Sequence, residues 1–283
     1  MPQIDLRPLS LGEILDRTFS LYRRHFLLFL GIAAIPHLLT LALNLVQVFV
    51  LQGGKGSTAT QPSNGLMAFG LFGIFVWLFV YIVAYLFAQG GTIYAVSDLY
   101  LGHPTTINAS LRKMWGQLLN LLGVLMLNLM VIVIGIIFLI IPGIYLACRL
   151  ITCVPAALLE DLGARESLER SFVLTKDSAW RAFVIYFLYV SMVYATLILF
   201  AIPFGFVAVM AGKDPHMLRL AAGIMQVGQF CAGVLVTPFL LIATSVFYYD
   251  LRVRKEAFDL QLMMQTSGTP GTSGTSQVPS MLS

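Results

Sequence analysis

The chain has 283 residues, of which 58% are hydrophobic and 11% are charged. An average soluble domain carries about 25% charged residues, so this composition excludes an ordinary soluble globular protein. The formal net charge of +4 is modest, and we expect neither a nucleic-acid partner nor a cofactor. The apolar residues form long continuous runs, which indicates an integral membrane protein.

The segment before the first apolar run predicts an amphipathic helix over residues 10–26. Ser10 followed by Glu13 is a capping-box pattern, in which each side chain satisfies a backbone donor of the other residue. Apolar residues recur at every third or fourth position and leave a polar face. We expect that face to meet anionic headgroups or to pack against other helices. It carries Arg17, Arg23 and Arg24. No cleavable signal sequence is evident, so the first span is expected to be an uncleaved anchor.

The apolar runs predict six spans, since about 20 apolar residues cross a hydrocarbon core of about 30 Å. The run over residues 118–160 would be about 65 Å long as one helix, so it must fold back. The expected turn is Pro142-Gly143, and Pro155 is expected to bend the span that follows. The run over residues 66–102 is also long, and we expect its polar end to leave the membrane or to tilt. The predicted spans are residues 26–52, 66–96, 118–141, 144–159, 182–211 and 220–249.

The positive charges predict the orientation, because Lys and Arg concentrate in cytoplasmic segments. With the N-terminus inside, thirteen of the 17 Lys and Arg residues lie on the inner side, three lie outside, and Arg149 lies within a span. We therefore expect both termini to lie in the cytoplasm. Residues 1–262 form one predicted membrane domain, and residues 263–283, rich in Gly, Thr and Ser, form a predicted disordered cytoplasmic tail.

A short cationic pattern occurs twice, at residues 15–21 and 168–174, with Leu, Arg, Phe and Leu at equal offsets. Residues 105–119 form a weaker third copy. The predicted fold class is therefore an all-α membrane protein with three helical hairpins, each preceded by a cytoplasmic amphipathic helix. The alternative is that inner connectors are simply cationic and amphipathic. The inner surface predicted to bind anionic lipid or a protein partner carries Arg17, Arg23, Arg24, Arg112, Lys113, Arg170, Arg252, Arg254 and Lys255.

Four polar residues form a candidate intramembrane site: Arg149, His37, Gln226 and Gln229. An arginine at the centre of a span costs at least ~2.5 kcal/mol and is a functional-site hypothesis. Its expected partners are a lipid phosphate or the amides Asn120, Asn128, Gln226 and Gln229. Alternatively, Arg149 reaches an interface or pairs with exposed carbonyls. His37 follows Pro36 and is either a proton carrier or a structural histidine at a kink. The two glutamines favour interhelical hydrogen bonds.

Catalytic and metal-binding patterns are not found in the sequence. It contains no nucleophile elbow, no zinc-protease motif and no phosphate-binding glycine loop. The acidic residues lie beside arginines, which favours pairing on helix surfaces. The three cysteines, Cys148, Cys153 and Cys231, have apolar neighbours and are expected to be buried packing thiols.

Four segments resemble bacterial membrane domains of glycerophosphoryl diester phosphodiesterase. They are residues 7–17 (RPLSLGEILDR), 141–145 (IPGIY) with Arg149, 166–172 (ESLERSF) with Leu174 and Trp180, and 248–256 (YYDLRVRKE). The resemblance extends to about Leu262 and implies a location in the bacterial inner membrane and little about activity. A phosphodiesterase barrel needs about 250 residues, which this sequence cannot supply beside six spans. The resulting expectation is a non-catalytic scaffold, anchor or regulatory module that binds lipids or proteins. The alternative is a transporter of small solutes or lipids.

Overall fold

The computed structural model describes residues 8–46, 64–210 and 214–256. These ranges hold ten α-helices, one 3-10 turn at Trp115–Gln117, and no β-strand. The helices are α1 (Leu11–Arg24), α2 (Phe26–Val46), α3 (Asn64–Tyr100), α4 (Ile107–Met114), α5 (Leu118–Phe138), α6 (Ile140–Arg149), α7 (Cys153–Leu159), α8 (Ala164–Leu174), α9 (Ala179–Met210) and α10 (Pro215–Glu256). The predicted all-α class is confirmed for this part of the chain. The tail over residues 263–283 lies outside the described residues.

Six segments are long and apolar enough to cross a bilayer, which confirms a multi-pass membrane protein. They are Phe26–Val46, Phe72–Tyr100, Ile107–Phe138, Ile140–Leu159, Ala179–Phe200 and His216–Glu256. The grouping into three hairpins with amphipathic helices stays a prediction.

The first helix begins as its sequence predicts. The backbone N–H of Ser10 donates to the Glu13 carboxylate at 2.6 Å, and the N–H of Glu13 donates to Ser10 Oγ at 3.3 Å, which completes the capping box. Helix α1 ends at Arg24, and α2 begins at Phe26, so His25 alone separates the two helices. Ile14 and Thr18 are buried where α1 packs against α10 and α2.

Helix α3 continues without a break to Tyr100, and α4 covers its polar end. Two consecutive glycines allow this close packing. A Cβ atom on Gly90 would overlap Met114 of α4, and one on Gly91 would lie 2.9 Å from Leu111 Cδ2. Gln89 and Ser97, whose polarity predicts an exit from the membrane or a tilt, are buried within the protein, and Ser97 Oγ lies 2.7 Å from the Tyr249 hydroxyl of α10. The exit or tilt itself stays a prediction.

The chain reverses at Leu139, and the predicted turn at Pro142-Gly143 is wrong. Leu139 has an extended backbone (φ −166°, ψ 142°), whereas Pro142 and Gly143 lie in the first turn of α6. A proline is tolerated there because the first backbone N–H groups of a helix have no intrahelical acceptor. Gly143 is needed for packing, since a Cβ on it would lie 2.8 Å from the backbone nitrogen of Ile136 in α5.

The fourth span is two short helices, α6 and α7, separated by a break at Leu150–Thr152. The predicted bend thus lies three residues before Pro155, which occupies the first turn of α7. All residues from Cys153 to Leu158 are buried, because α7 packs against α8, α5 and α3. The break exposes helix-end carbonyls, which need partners from other elements.

The core lies around α10, which packs against α9, α2, α1 and α3. Its largest fully buried side chains include Phe239, Phe247 and Tyr248 of α10 and Phe29 of α2. At 42 residues, α10 is about 63 Å long. It therefore extends past the predicted span and carries its last charged residues onto the end of the bundle where Leu9 lies. We call this region the charged end.

Candidate functional site

A buried carboxylate at the charged end binds the backbone just before α1. The side chain of Asp250 is 0% exposed. Its Oδ1 accepts from the backbone N–H of Leu9 at 2.6 Å, and its Oδ2 accepts from Arg181 Nη1 at 2.7 Å and from Arg254 Nε at 3.0 Å. The same two guanidinium groups donate to the Leu9 carbonyl at 2.7 and 2.5 Å. Both backbone groups of Leu9 are thereby satisfied.

This cluster joins three parts of the chain, because side chains of α9 and α10 bind the backbone N–H and carbonyl of Leu9. Arg181 comes from α9, Asp250 and Arg254 come from α10, and Leu9 precedes α1. Asp250 and Arg254 stand one helical turn apart and therefore share a face of α10. A carboxylate in this position is tolerated only because charged donors surround it. The geometry favours a rigid structural clamp.

A second ionic network links α8 to α10 through the segment after α7. The Glu160 carboxylate accepts from Arg170 Nε at 2.7 Å and from the Tyr248 hydroxyl at 2.6 Å. Arg170 also pairs with Glu256, which accepts from Arg252 Nε at 3.0 Å. Burial lowers the pKa of Arg170, but hydrogen bonds and Coulombic attraction from Glu160 and Glu256 outweigh it and raise the pKa above its ordinary value. Arg170 therefore stays charged and fixes α8 to α10.

Arg149 lies at the end of α6 and is bound by α8. Its Nη2 donates to the Phe172 carbonyl at 2.6 Å, and its guanidinium lies 5.3 Å from the Phe172 ring centre and 6.0 Å from that of Tyr145. Its own carbonyl accepts from Ser171 Oγ and Thr175 Oγ1, both at 2.8 Å. The observed arrangement is the alternative expected from the sequence, pairing with a carbonyl, and this hydrogen bond does not involve the predicted amides.

The other intramembrane candidates lie elsewhere, along α2 and α10. His37 Nδ1 donates to the Ala33 carbonyl at 2.8 Å, which leaves Nε2 to accept from Thr237 Oγ1 at 3.4 Å. Asn44 Nδ2 donates to Gln226 Oε1 at 3.0 Å. The His37–Thr237 and Asn44–Gln226 hydrogen bonds join α2 to α10, and the second is of the kind predicted for the glutamines, whereas the His37–Ala33 hydrogen bond lies within α2. Gln229 is exposed, so the four candidate residues do not share one site.

We divide the nine predicted surface cations into six that bind other groups of the protein, called the inward group, and three others, called the outward group. Arg170, Arg252 and Arg254 belong to the ionic networks above. Lys113 binds both oxygens of Asp98, Lys255 donates to the carbonyls of Val173 and Lys176, and Arg17 donates to the Tyr100 hydroxyl. The outward group consists of three exposed residues: Arg23, Arg24 and Arg112. Most of the predicted surface therefore holds the fold together.

The sequence alone did not single out Asp250, Glu160 or Arg181. Their charges look like ordinary pairing along a helix surface, and that interpretation is wrong for Glu160 and Asp250, which bind residues of other elements. One available signal was the spacing of Asp250 and Arg254 inside the motif at residues 248–256.

The described ranges were predicted to hold buried cysteines and no metal site. There, no group of three or more His, Cys, Asp or Glu side chains could hold a metal ion. Cys148 and Cys153 are buried, as expected, but Cys231 is exposed, so the prediction of burial is wrong for that thiol.

A family model described as the membrane domain of glycerophosphoryl diester phosphodiesterase matches residues 123–270, more than half of the chain. The chain belongs to this family. The family match to the glycerophosphoryl diester phosphodiesterase membrane domain begins inside α5 and contains Arg149, Arg170 and Asp250. It concerns a membrane domain and includes no catalytic domain. Searches of curated proteins and of solved structures each returned no match.

Proposed function

We propose that this membrane domain is a non-catalytic anchor and scaffold whose charged end faces the cytoplasm and binds anionic lipid headgroups. The orientation is supported by the placement of thirteen Lys and Arg residues on the predicted inner side and three on the outer side. The proposed location in the bacterial inner membrane is supported by the resemblance to bacterial membrane domains of the same family.

The division of the cations carries the proposal. Inward cations and the carboxylates that they bind, of which Asp250 is fully buried, hold Leu9, α8, α9 and α10 together at one end. A region fixed by several ion pairs is suited to presenting a constant surface. Arg23 and Arg24 lie outside these clusters, and their exposed side chains are accessible to ligands.

The surface of α1 fits a bilayer interface. A depression of about 650 Å³ is lined by Phe19, Tyr22, Arg23 and Arg24, together with Ser20. Phe19 is 52% exposed and would enter the acyl region, while the arginines would meet phosphates. Each such cation contributes about 1 kcal/mol near an anionic surface.

The architecture we propose is three units of surface helix followed by two spans. Its support is that α1 and α8 bury equivalent positions of the repeated pattern. Ile14 corresponds to Ser167 and Thr18 to Ser171, and all four are buried. In both copies the polar position also binds a carbonyl: Thr18 binds that of Ile14, and Ser171 binds that of Arg149.

Transport is the second candidate, favoured by the polar contacts of His37 with Thr237 and of Asn44 with Gln226 inside the spans. It is the weaker candidate because Arg149, the arginine of the candidate intramembrane site, donates to the Phe172 carbonyl and is thus engaged within the protein. Solute or lipid flux in proteoliposomes that His37→Ala abolishes would replace the anchoring proposal.

The test of the proposed function is lipid retention by the purified full chain. The protein in detergent is given equal amounts of phosphatidylglycerol and phosphatidylcholine, and native mass spectrometry measures the bound lipids. We expect a preference for phosphatidylglycerol. Arg23→Ala/Arg24→Ala should weaken it by about 2 kcal/mol, roughly 30-fold.

The matched control is Lys55→Ala/Lys213→Ala, which removes the same charge from the predicted outer side and should leave the preference unchanged. Equal retention of the two lipids by the parent protein, or equal losses in both double variants, would contradict the proposal.

A further inference from the structure

We infer that a groove between α2, α3 and α4 binds one anionic phospholipid, with its phosphate at Arg112 and one acyl chain along α3. This inference rests on the proposed function and deepens it, because it names a site and the chemical class of ligand. None of these residues belongs to the ionic clusters described above.

The groove has a volume of about 600 Å³ and mostly apolar walls. Ile35 of α2 forms one side, and Phe79, Val83 and Phe87 of α3 form another. From Phe79 to Phe87 the helix rises about 12 Å, which provides an apolar track along a membrane-crossing helix. A track of this kind is suited to a hydrocarbon chain rather than to a polar solute.

The mouth of the groove is polar and aromatic. Asn108, Arg112 and Trp115 line it at the end formed by α4 and the 3-10 turn. Trp115 is 72% exposed, and its ring centre lies 5.6 Å from that of Phe87. Tryptophan with one apolar side and one wet side is characteristic of the headgroup level of a bilayer. The groove therefore has an apolar wall and a polar rim, which match the acyl chain and the headgroup of a phospholipid.

The charge at the mouth selects the headgroup. Lys113 binds both oxygens of Asp98, whereas the neighbouring Arg112 is exposed and has no acidic partner among the residues that the structure describes. A guanidinium presents paired donors that match a phosphate in a bidentate geometry. The Asn108 side chain adds one more donor. An anionic phospholipid complements both the charge and the apolar wall, whereas an apolar peptide would complement only the wall.

The groove is a built site because α4 is held firmly against the two spans. A Cβ on Gly31 of α2 would lie 2.6 Å from Ile107 Cδ1, and Gly90 of α3 gives the same close approach to Met114. Met114 is fully buried. With both ends of α4 packed, the direction of Arg112 is set by the helix.

The experiment uses Trp115 as a probe. In the full chain, Trp77→Phe/Trp180→Phe leaves Trp115 as the single tryptophan. The protein in detergent is titrated with phosphatidylglycerol or phosphatidylcholine carrying brominated acyl chains, which quench a nearby indole. We expect saturable quenching at about tenfold lower concentration for phosphatidylglycerol. Arg112→Ala should remove that preference, and Arg112→Lys should retain part of it.

Two matched controls separate the site from general effects. Arg165→Ala removes an exposed charge on α8 and should leave the quenching preference intact. Val80→Phe places a larger side chain in the groove. Val190→Phe makes the same substitution on α9, outside the groove. The two valines are similarly exposed, at 44% and 43%. Only Val80→Phe should raise the concentration needed for quenching.

The outcomes distinguish this inference from the proposed function. If phosphatidylglycerol is retained in the mass spectra but quenches Trp115 no better than phosphatidylcholine, the groove inference is wrong and the anchoring proposal stands. If the preference survives Arg112→Ala, or if the two valine variants behave alike, the groove inference is also wrong. Absence of any phosphatidylglycerol retention would contradict both.

Discussion

At the scale of single residues, charge on this protein has two distinct uses. Asp250 is buried and Arg181 is partly buried, and they bind Leu9 over sequence separations of 241 and 172 residues. Arg23, Arg24 and Arg112 are exposed and are the cations that we propose for lipid binding. A buried charge must be paired because it has lost its hydration, whereas an exposed cation remains solvated and available.

The clamp at Leu9 predicts a large effect of Asp250→Asn on stability. The change leaves two guanidinium groups without their countercharge and weakens the acceptor for the Leu9 N–H. Breaking a buried pair in this way costs about 3–5 kcal/mol. Denaturant unfolding in detergent, followed by far-UV circular dichroism, measures the loss.

The control for that variant is Glu169→Gln, which breaks the Arg165–Glu169 pair on the surface of α8. That pair has side chains that are 88% and 67% exposed, so the unfolding midpoint should hardly change. Similar losses in both variants would show that burial of Asp250 is not what matters.

At the scale of elements, glycine decides how closely the helices approach. The sequence predicts a reversal between the third and fourth spans because the run is too long for one helix, and the structure contains it. The position of the turn differs because Pro142 is compatible with a first helical turn and Gly143 faces Ile136. A Pro-Gly pair has the same local preference in either setting, so only the packed partner helix distinguishes them.

The α5–α6 contact predicts that Gly143→Ala destabilises the protein although alanine is a better helix former. The added methyl would meet backbone atoms of Ile136, which cannot move aside as a side chain can. The control is Gly73→Ala in α3, where nothing lies within 4 Å, and the higher helix propensity of alanine should stabilise by up to about 1 kcal/mol. Thermal unfolding of both variants in detergent should give shifts of opposite sign. A stabilising Gly143→Ala would contradict the observed packing.

At the scale of the whole molecule, the charge asymmetry predicts that both termini lie in the cytoplasm. Cys148, Cys153 and Cys231 are replaced by alanine, and single cysteines are introduced as Ser57→Cys or Ser273→Cys, at positions outside the described residues. An impermeant maleimide on intact cells should label the first variant and leave the second unlabelled until the membrane is opened. Labelling of the Ser273→Cys variant in intact cells would reverse the proposed orientation.

The sequence by itself determined the membrane class, the number of apolar spans and the capping box at Ser10. Each depends on the composition or spacing of neighbouring residues, which governs transfer into lipid and local hydrogen bonds. The tertiary structure decided the reversal at Leu139, the partner of Arg149 and the separation of inward from outward cations. These features depend on which residues, distant in sequence, are brought together by packing, as Leu9 and Asp250 are. A pattern of neighbouring residues carries no information about such contacts.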